Sequence, residues 1–299
     1  MLRLLWQCRV ARRAGMRGVW LIDEVVGRSP WWLREVRSVL TVVVVLAGGV
    51  ALNPAEASAA TGTSVSTDYG TMADGTGGYS FWSEQAASPD RITYVTDPLQ
   101  QRGTVQQIVV QPGDTNVYGS SDIGERAEVA QPSGIGNFVD GQTVRVSWGM
   151  LIDSAFASPD TTDWNSFVQI HSAGGVSDSP LYLNLVGEQA ELRMWLQGGG
   201  DWSDSAQPDG SAIEEFRLGQ LSKNQWHDFV LEMRFGCTGT GYAKLWIDGA
   251  KVVEANDRKI GYCDDPGMYW KQGFYRSLYE KPTRLWFSDS HFWVSAPNS

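Results

Sequence analysis

Along most of the chain, apolar and polar residues alternate with a period of two. The run TVRVSWGMLI sets Val144, Val146, Trp148 and Met150 on one face. GTVQQIVVQ, LYLNLVG and AELRMWLQ read the same way, and in WHDFVLEMRF Trp226, Asp228, Val230 and Glu232 alternate with His227, Phe229, Leu231 and Met233. Alternation of this kind, bounded by Gly, Pro, Asn and Asp, predicts strands with one buried face. GYAKLWIDGAKVV carries Asp248-Gly249 between two such runs, a hairpin turn signal. TRLWFSDSHFWVS closes the chain. No repeat of fixed length is evident and long helical patterns are scarce. The prediction is an all-β fold, one antiparallel β-sandwich over residues 79–299.

The first 78 residues break this pattern. Arg residues crowd Met1 to Arg37, and the apolar run VLTVVVVLAGGVAL follows, ending near the small residues Ala57-Ser58-Ala59. The order predicts a secretory signal peptide over residues 1–59, cleaved after Ala59. The charged region is long for a leader, which makes Met16 an alternative start. A single membrane anchor is the other reading, but the apolar core is short for a span. Residues 60–78, small and polar, read as a linker or loose N-terminal segment.

Composition sharpens the picture in three ways. The chain of 299 residues has 24 Lys and Arg against 34 Asp and Glu, a net charge of −10. Cleavage after Ala59 removes eight Arg and four acids, so the mature charge is 16 − 30 = −14. Such a chain is not expected to bind nucleic acid, and a polyanionic substrate would require its few cations to be concentrated locally. Of three Cys, Cys8 leaves with the leader. Cys237 and Cys263 remain as an expected disulfide in an oxidising compartment, two free thiols being the alternative. Closing that loop would stabilise the fold by roughly 3–4 kcal/mol in the chain-entropy model. The 14 Trp and 33 Gly suit a sandwich with many turns and aromatic grooves.

Three segments carry candidate chemistry. In Gly124-Glu125-Arg126-Ala127-Glu128-Val129, Arg126 and Glu128 share a strand face about 7 Å apart. Alone they read as a solvated ion pair. In Phe167-Val168-Gln169-Ile170-His171, Val168 and Ile170 form an apolar face, and Phe167, Gln169 and His171 fall on the other. The remaining histidines, His227 and His291, lie among apolar neighbours and read as local packing or bonding. In the third segment Tyr269, Lys271, Gly273 and Tyr275 share a face opposite Trp270 and Phe274, and the Gly is expected to leave room for a ligand at the backbone.

Together and in this order the segments resemble a pattern of jelly-roll alginate lyases: R-[ST]-E-L, then Q-[IV]-H, then Y-F-K-x-G-x-Y. Here they stand as Arg126-Ala127-Glu128-Val129, Gln169-Ile170-His171 and Tyr269-Trp270-Lys271-Gln272-Gly273-Phe274-Tyr275. The ending from Lys271 to Arg276, and the hairpin around Asp248-Gly249, are similar to the related glucuronan lyases and heparin lyase I-like proteins. Ala127, Val129 and Trp270 depart from the alginate lyase pattern. The resemblance implies a secreted polysaccharide lyase on a concanavalin A-like jelly roll, acting on an anionic polysaccharide as a monomer, with glucuronan ahead of alginate and sulfated chains behind.

The implied reaction is β-elimination on a 4-linked uronate. A base removes the C5 proton beside the carboxylate, the C4–O4 bond breaks, and an unsaturated uronate remains. Charge is the difficulty, since the transition state adds negative charge to an anionic group and needs donors aimed at it. Arg126 offers a fork suited to a carboxylate, and Gln169 an amide N–H. On glucuronate or mannuronate Tyr275 is expected to serve as both base and acid; on guluronate or iduronate His171 is the expected base and Tyr275 the acid. Lys271, Glu128, Tyr269 and Arg276 are the expected substrate-binding residues. No metal or organic cofactor is required by these roles, although a structural Ca²⁺ is compatible with such sandwiches. A glycoside hydrolase would need two flanking carboxyl groups, and no E-x-D-x-x-E pattern is present. A non-catalytic carbohydrate-binding module would account for the Trp content and the fold, but not for Arg126, Gln169, His171 and Tyr275 occurring together. A structural cell-surface protein is the third reading.

Overall fold

The computed structural model of the protein describes residues 61–73, 81–117, 120–121, 124–160, 165–174, 179–199, 213–263 and 265–297. The leader read over residues 1–59 lies outside them. In chain order the strands are β1 (Gly62–Ser66), β2 (Ser83–Ala86), β3 (Ile92–Thr96), β4 (Thr104–Val110), β5 (Asn116–Val117), β6 (Ser120–Ser121), β7 (Glu125–Ala130), β8 (Thr143–Ile152) and β9 (Asn165–Ser172). They continue with β10 (Leu181–Val186), β11 (Glu191–Leu196), β12 (Glu214–Gln220), β13 (Trp226–Arg234), β14 (Gly236–Ile247), β15 (Ala250–Ile260), β16 (Met268–Arg276), β17 (Thr283–Phe287) and β18 (His291–Ser295). One five-residue helix, α1 (Tyr69–Ala73), follows β1.

Two antiparallel sheets form a sandwich. The back sheet runs β15-β14-β13-β8-β17-β4-β3, with β18 pairing to β8 and β1 to β18. The front sheet runs β12-β11-β10-β9-β16-β7-β2. Consecutive strands pair toward the sheet edges, while β13-β8-β17-β4 in the back sheet and β9-β16-β7-β2 in the front one join strands distant in sequence, as in a jelly roll. The alternating runs explain this layering directly. Val144, Val146, Trp148 and Met150 of β8 are buried between the sheets in one core with Trp270 and Phe274 of β16; the Trp148 and Trp270 rings stand edge to face at 5.2 Å. Each large apolar side chain so buried contributes about 1.5–3 kcal/mol. Asp248 and Gly249 adopt φ of 51° and 80°, the left-handed pair that a tight hairpin between β14 and β15 demands.

The segment read as a linker is corrected in part. Residues Gly62–Ser66 form β1, in register with β18 from Gly62↔Ser295 to Ser66↔His291. Tyr69 is fully buried, and its hydroxyl accepts the Gln272 amide N–H at 2.9 Å. Small polar residues gave no apolar alternation because β1 exposes both faces at a sheet edge. The sandwich therefore begins at Gly62, not at residue 79; residues 74–78 lie outside the described ones. Cys237 and Cys263 are disulfide-bonded with Cα atoms 5.2 Å apart. The bond ties the start of β14 to the β15–β16 loop, beside the Gly198↔Gly261 bridge that links the front sheet to the back one.

Candidate active site

β7, β16 and β9 lie side by side at the middle of the front sheet. Their register sets Arg126 opposite Tyr275, Glu128 opposite Gly273, Lys271 opposite Gln169, and Tyr269 opposite His171. Residues directly opposite on antiparallel strands share a face. Seven of the eight expected catalytic and binding residues therefore meet on the outward face, while Trp270 and Phe274 point into the core.

Arg276 does not join them. It follows Tyr275 by one residue, so it turns inward, where it is 0 % exposed. Its guanidinium pairs with Glu125 at 2.7 Å and donates to Thr283 Oγ1 at 2.6 Å. Burial pushes its pKa down and Glu125 opposes that shift. The expectation that Arg276 binds substrate is overturned by strand parity.

Two irregularities shape the face. A bulge in β9 lets Leu183 pair with Val168 and Asn184 with Ser166, skipping Phe167. Phe167 is thereby turned into the core, 5.8 Å from the Phe229 ring, contrary to its expected place beside Gln169 and His171. Ser166 instead comes opposite Tyr275. Gly273 has φ 141°, and a Cβ there would stand 2.3 Å from the Ala127 carbonyl oxygen. The space at Gly273 is taken by the β7 backbone and not by a ligand, which corrects the earlier reading of that glycine.

Glu128 is the hub of the cluster. It is 1 % exposed. Its Oε1 accepts the Gln169 amide at 2.6 Å, its Oε2 accepts Lys271 Nζ at 2.7 Å, and Arg126 Nη1 lies 3.7 Å from Oε2. Ser179 Oγ donates to Gln169 Oε1 at 3.2 Å, which fixes the amide with its nitrogen toward Glu128. Both oxygens of Glu128, which was expected to touch substrate, accept hydrogen bonds inside the cluster. Gln169 carries two amide hydrogens, and the bond to Glu128 uses one.

His171 stands at one end. Its Nδ1 lies 2.8 Å from the Ser172 carbonyl, an acceptor only, so Nδ1 carries the hydrogen and Nε2 keeps a lone pair. Burial, and then the charge of Lys271, hold its pKa below the ordinary histidine value. The Tyr269 ring stacks on the imidazole at 5.4 Å and 28°. At the other end Arg126 lies over the Tyr275 ring, 3.8 Å from its centroid, and donates to Gln85 Oε1 of β2 at 3.2 Å. Tyr269 and Tyr275 are six residues apart, about 20 Å of strand, so the cluster is an elongated track. Its charges are Arg126 and Lys271 against Glu128, a cationic excess in a chain of net charge −10.

Ser179 and Gln85 were not singled out from the sequence. Gln85 sits in the short strand SEQA, too short for alternation to be read; Ser179 precedes β10, outside any run. A depression of about 370 Å³ lies on the back sheet, not here; its Arg102 is bonded to Asp228 at 2.7 Å. Among the described residues no three His, Cys, Asp or Glu side chains gather as a metal site.

A family model described as Polysaccharide lyase matches residues 74–291. The chain belongs to the polysaccharide lyase family. The whole cluster falls inside that match. No curated protein matches the lyase in sequence. Among solved structures it is similar to an endo-β-1,4-glucuronan lyase from the fungus Trichoderma reesei, at 15% identity, covering 74% of this chain and 92% of that one with a TM-score of 0.56. That likeness establishes the jelly-roll fold. Alginate lyase AlyC3 is 14% identical with a TM-score of 0.48, covering 68% of this chain and 78% of that one. Alginate lyase A1-II′, of polysaccharide lyase family 7, is 12% identical with a TM-score of 0.47, covering 78% and 100%.

Proposed function

We propose that the lyase cleaves a 4-linked polyuronate by β-elimination at the Arg126–Gln169–His171–Tyr275 cluster. One observation carries the reading: a cationic track, with a histidine whose Nε2 lone pair is left for a proton, on the outward face of a strongly acidic chain. Arg126 and the second amide hydrogen of Gln169 bind the carboxylate of the sugar being cleaved and take up the charge that develops on it. Glu128 holds Gln169 and Lys271 in place, and Lys271 supplies positive potential.

The stereochemistry of the sugar assigns the base. In glucuronate and mannuronate the C5 hydrogen and O4 lie on one side of the ring. Tyr275 then removes the proton from C5 and returns one to O4, as the C5 electron pair forms the C4=C5 bond and expels O4. In guluronate and iduronate they lie on opposite sides, and His171 Nε2 takes the C5 proton while Tyr275 protonates O4.

Glucuronan is the first substrate, supported by the resemblance of the Lys271–Arg276 ending and of the β14–β15 hairpin to glucuronan lyases. Alginate stands second. The enzyme acts outside the cell after loss of the leader at Ala59, supported by the Arg-rich stretch, apolar run and small residues before Ala60. The mature chain is to be incubated with glucuronan, polymannuronate, polyguluronate, hyaluronan and heparin, following the ultraviolet absorbance of the unsaturated uronate. A rise on glucuronan or an alginate block is expected; a folded protein that raises it on none of them defeats the proposal. Sequencing the N-terminus of the exported protein tests the leader, with Ala60 as the expected first residue.

A further inference from the structure

The outward face of the front sheet continues past the cluster onto β10, β11 and β12. In one register row, Lys271, Gln169, Tyr182, Trp195 and Glu215 follow each other strand by strand. Trp195 is thus two strand spacings beyond Gln169, about 10 Å, and its ring meets that of Tyr182 edge to face at 6.2 Å. Arg193, two residues back on β11, lies on the same face, because Leu192, Met194 and Leu196 fill the core.

Arg193 is an unusual residue for such a face. Its side chain is 8 % exposed, yet its Nε and Nη1 have no hydrogen-bond partner among the described residues. Nη2 donates to Glu191 at 2.7 Å; Nη1 stands 3.5 Å from Glu215 Oε1, beyond a good hydrogen bond. The indole N–H of Trp195 is likewise buried and has no partner among the described residues. Buried donors left unmade are costly and rare in a folded protein. Guanidinium and indole nitrogens only donate, so whatever completes them must bring acceptors.

The charges say which acceptors. Arg193 and Arg217 stand against Glu191 and Glu215, and Arg217 Nη2 lies 3.4 Å from Glu215 Oε2. The group is balanced, unlike the Arg126–Lys271–Glu128 cluster with its surplus cation. An anion gains little here, whereas hydroxyl and ring oxygens can take the N–H groups without desolvating a charge.

We propose that Arg193 and Trp195 form a subsite that holds a neighbouring sugar of the bound chain through its hydroxyl oxygens and not its carboxylate. The subsite rests on the lyase reading of the adjoining cluster. It makes affinity depend on chain length, and recognition of the flanking sugar independent of its charge.

The test uses uronate oligosaccharides of increasing length, made from whichever polymer the wild-type enzyme cleaves. The readout is the ratio of kcat/KM between the longest and shortest oligomers. In Arg193→Gln this ratio falls roughly tenfold, as losing hydrogen bonds to a charged donor implies, and in Trp195→Phe it falls by less. Arg193→Lys keeps the charge between Glu191 and Glu215 but lacks the fork; it shows the same length-specific loss with an unchanged Tm, and it replaces Arg193→Gln if that variant fails to fold. The slope of kcat/KM against salt stays that of the wild type. A loss equal at all lengths, no loss, or a flattened salt slope in the variants overturns the subsite. If the wild type yields unsaturated product from no polyuronate, the proposed function fails on its own. Calorimetric binding of glucuronan and alginate oligosaccharides of increasing length, prepared by acid hydrolysis, then decides the subsite: weaker binding of the long ones by Arg193→Lys sustains it, and equal binding overturns it.

Discussion

β7 and β16 carry two buried ion pairs on opposite sides of the same two strands. Inward, Glu125 holds Arg276 at 2.7 Å; outward, Glu128 holds Lys271 at 2.7 Å. Both carboxylates are almost wholly buried, at 2 % and 1 % exposure, and both partners are cations from the last third of the chain. By distance and burial alone the pairs are equivalent. They differ in what surrounds them. Arg276 is completed by Thr283 of β17 and the Lys281 carbonyl just before that strand. Glu128 adds Gln169 and Arg126, which continue to His171 and Tyr275 on the open face. A buried salt bridge is therefore not evidence of function, and one residue of strand parity separates an inward pair from one on the face of the proposed site.

The largest effect expected is on the outward side. Tyr275→Phe keeps the ring under Arg126 and removes only the hydroxyl, so kcat falls by about 10²–10⁴ while Tm stays within error. A variant with wild-type turnover removes Tyr275 from the chemistry and leaves His171 as the sole candidate.

Paired replacements compare the two sides directly. Arg276→Met alone leaves Glu125 charged and buried and costs about 3–5 kcal/mol of stability. Adding Glu125→Leu recovers most of that, since an apolar pair of similar volume is often neutral, and activity returns with the fold. The corresponding Glu128→Leu, Lys271→Met enzyme is expected to be as stable as wild type by denaturant titration and yet inactive. Activity in this second double variant would erase the distinction between the pairs. Gly273→Ala disturbs both sides at once. Its Cβ would press on the Ala127 carbonyl at 2.3 Å, in a φ region that favours glycine, so a loss of roughly 1–3 kcal/mol is expected, measured by the same titration.

How far the chain itself discloses this comparison depends on periodicity. The runs of β8, β13 and β14 alternate cleanly, so layers and hairpin were legible. Gln169, His171, Tyr269, Lys271 and Tyr275 were legible as one face because each keeps an unbroken period of two with its neighbour. Phe167 was not, since a bulge resets the count and nothing in FVQIH marks it. Arg276 was grouped with the site by motif, although its even spacing from Trp270 and Phe274 already placed it inward. Arg193 hid in the run AELRMWLQ, where nothing in the alternation singles it out. β1 was missed because an edge strand exposed on both faces needs no apolar residues. The Glu128 hub was illegible because it depends on which cross-strand partner each carboxylate oxygen finds, and register is set by long-range pairing.

The smallest effect expected is on pH dependence. It tests whether Lys271 acts on His171 as a charge or only as a prop. Burial, and after it the Lys271 ammonium, hold the imidazole pKa below the ordinary value of about 6.5. If His171 must be neutral to accept a proton, the acidic limb of kcat/KM lies below that value in the wild type. Lys271→Gln removes the cation and leaves Glu128, whose charge pulls the other way. The acidic limb of the residual activity then moves up, toward the ordinary histidine value. The same shift bears on stability. The folded imidazole binds its proton more weakly than the unfolded one, so stability falls as pH drops through the interval just below about 6.5. His171→Gln flattens that fall in thermal unfolding scans. An acidic limb that stays fixed in Lys271→Gln would confine Lys271 to holding Glu128 in place, and leave Arg126 as the cation that the reaction feels.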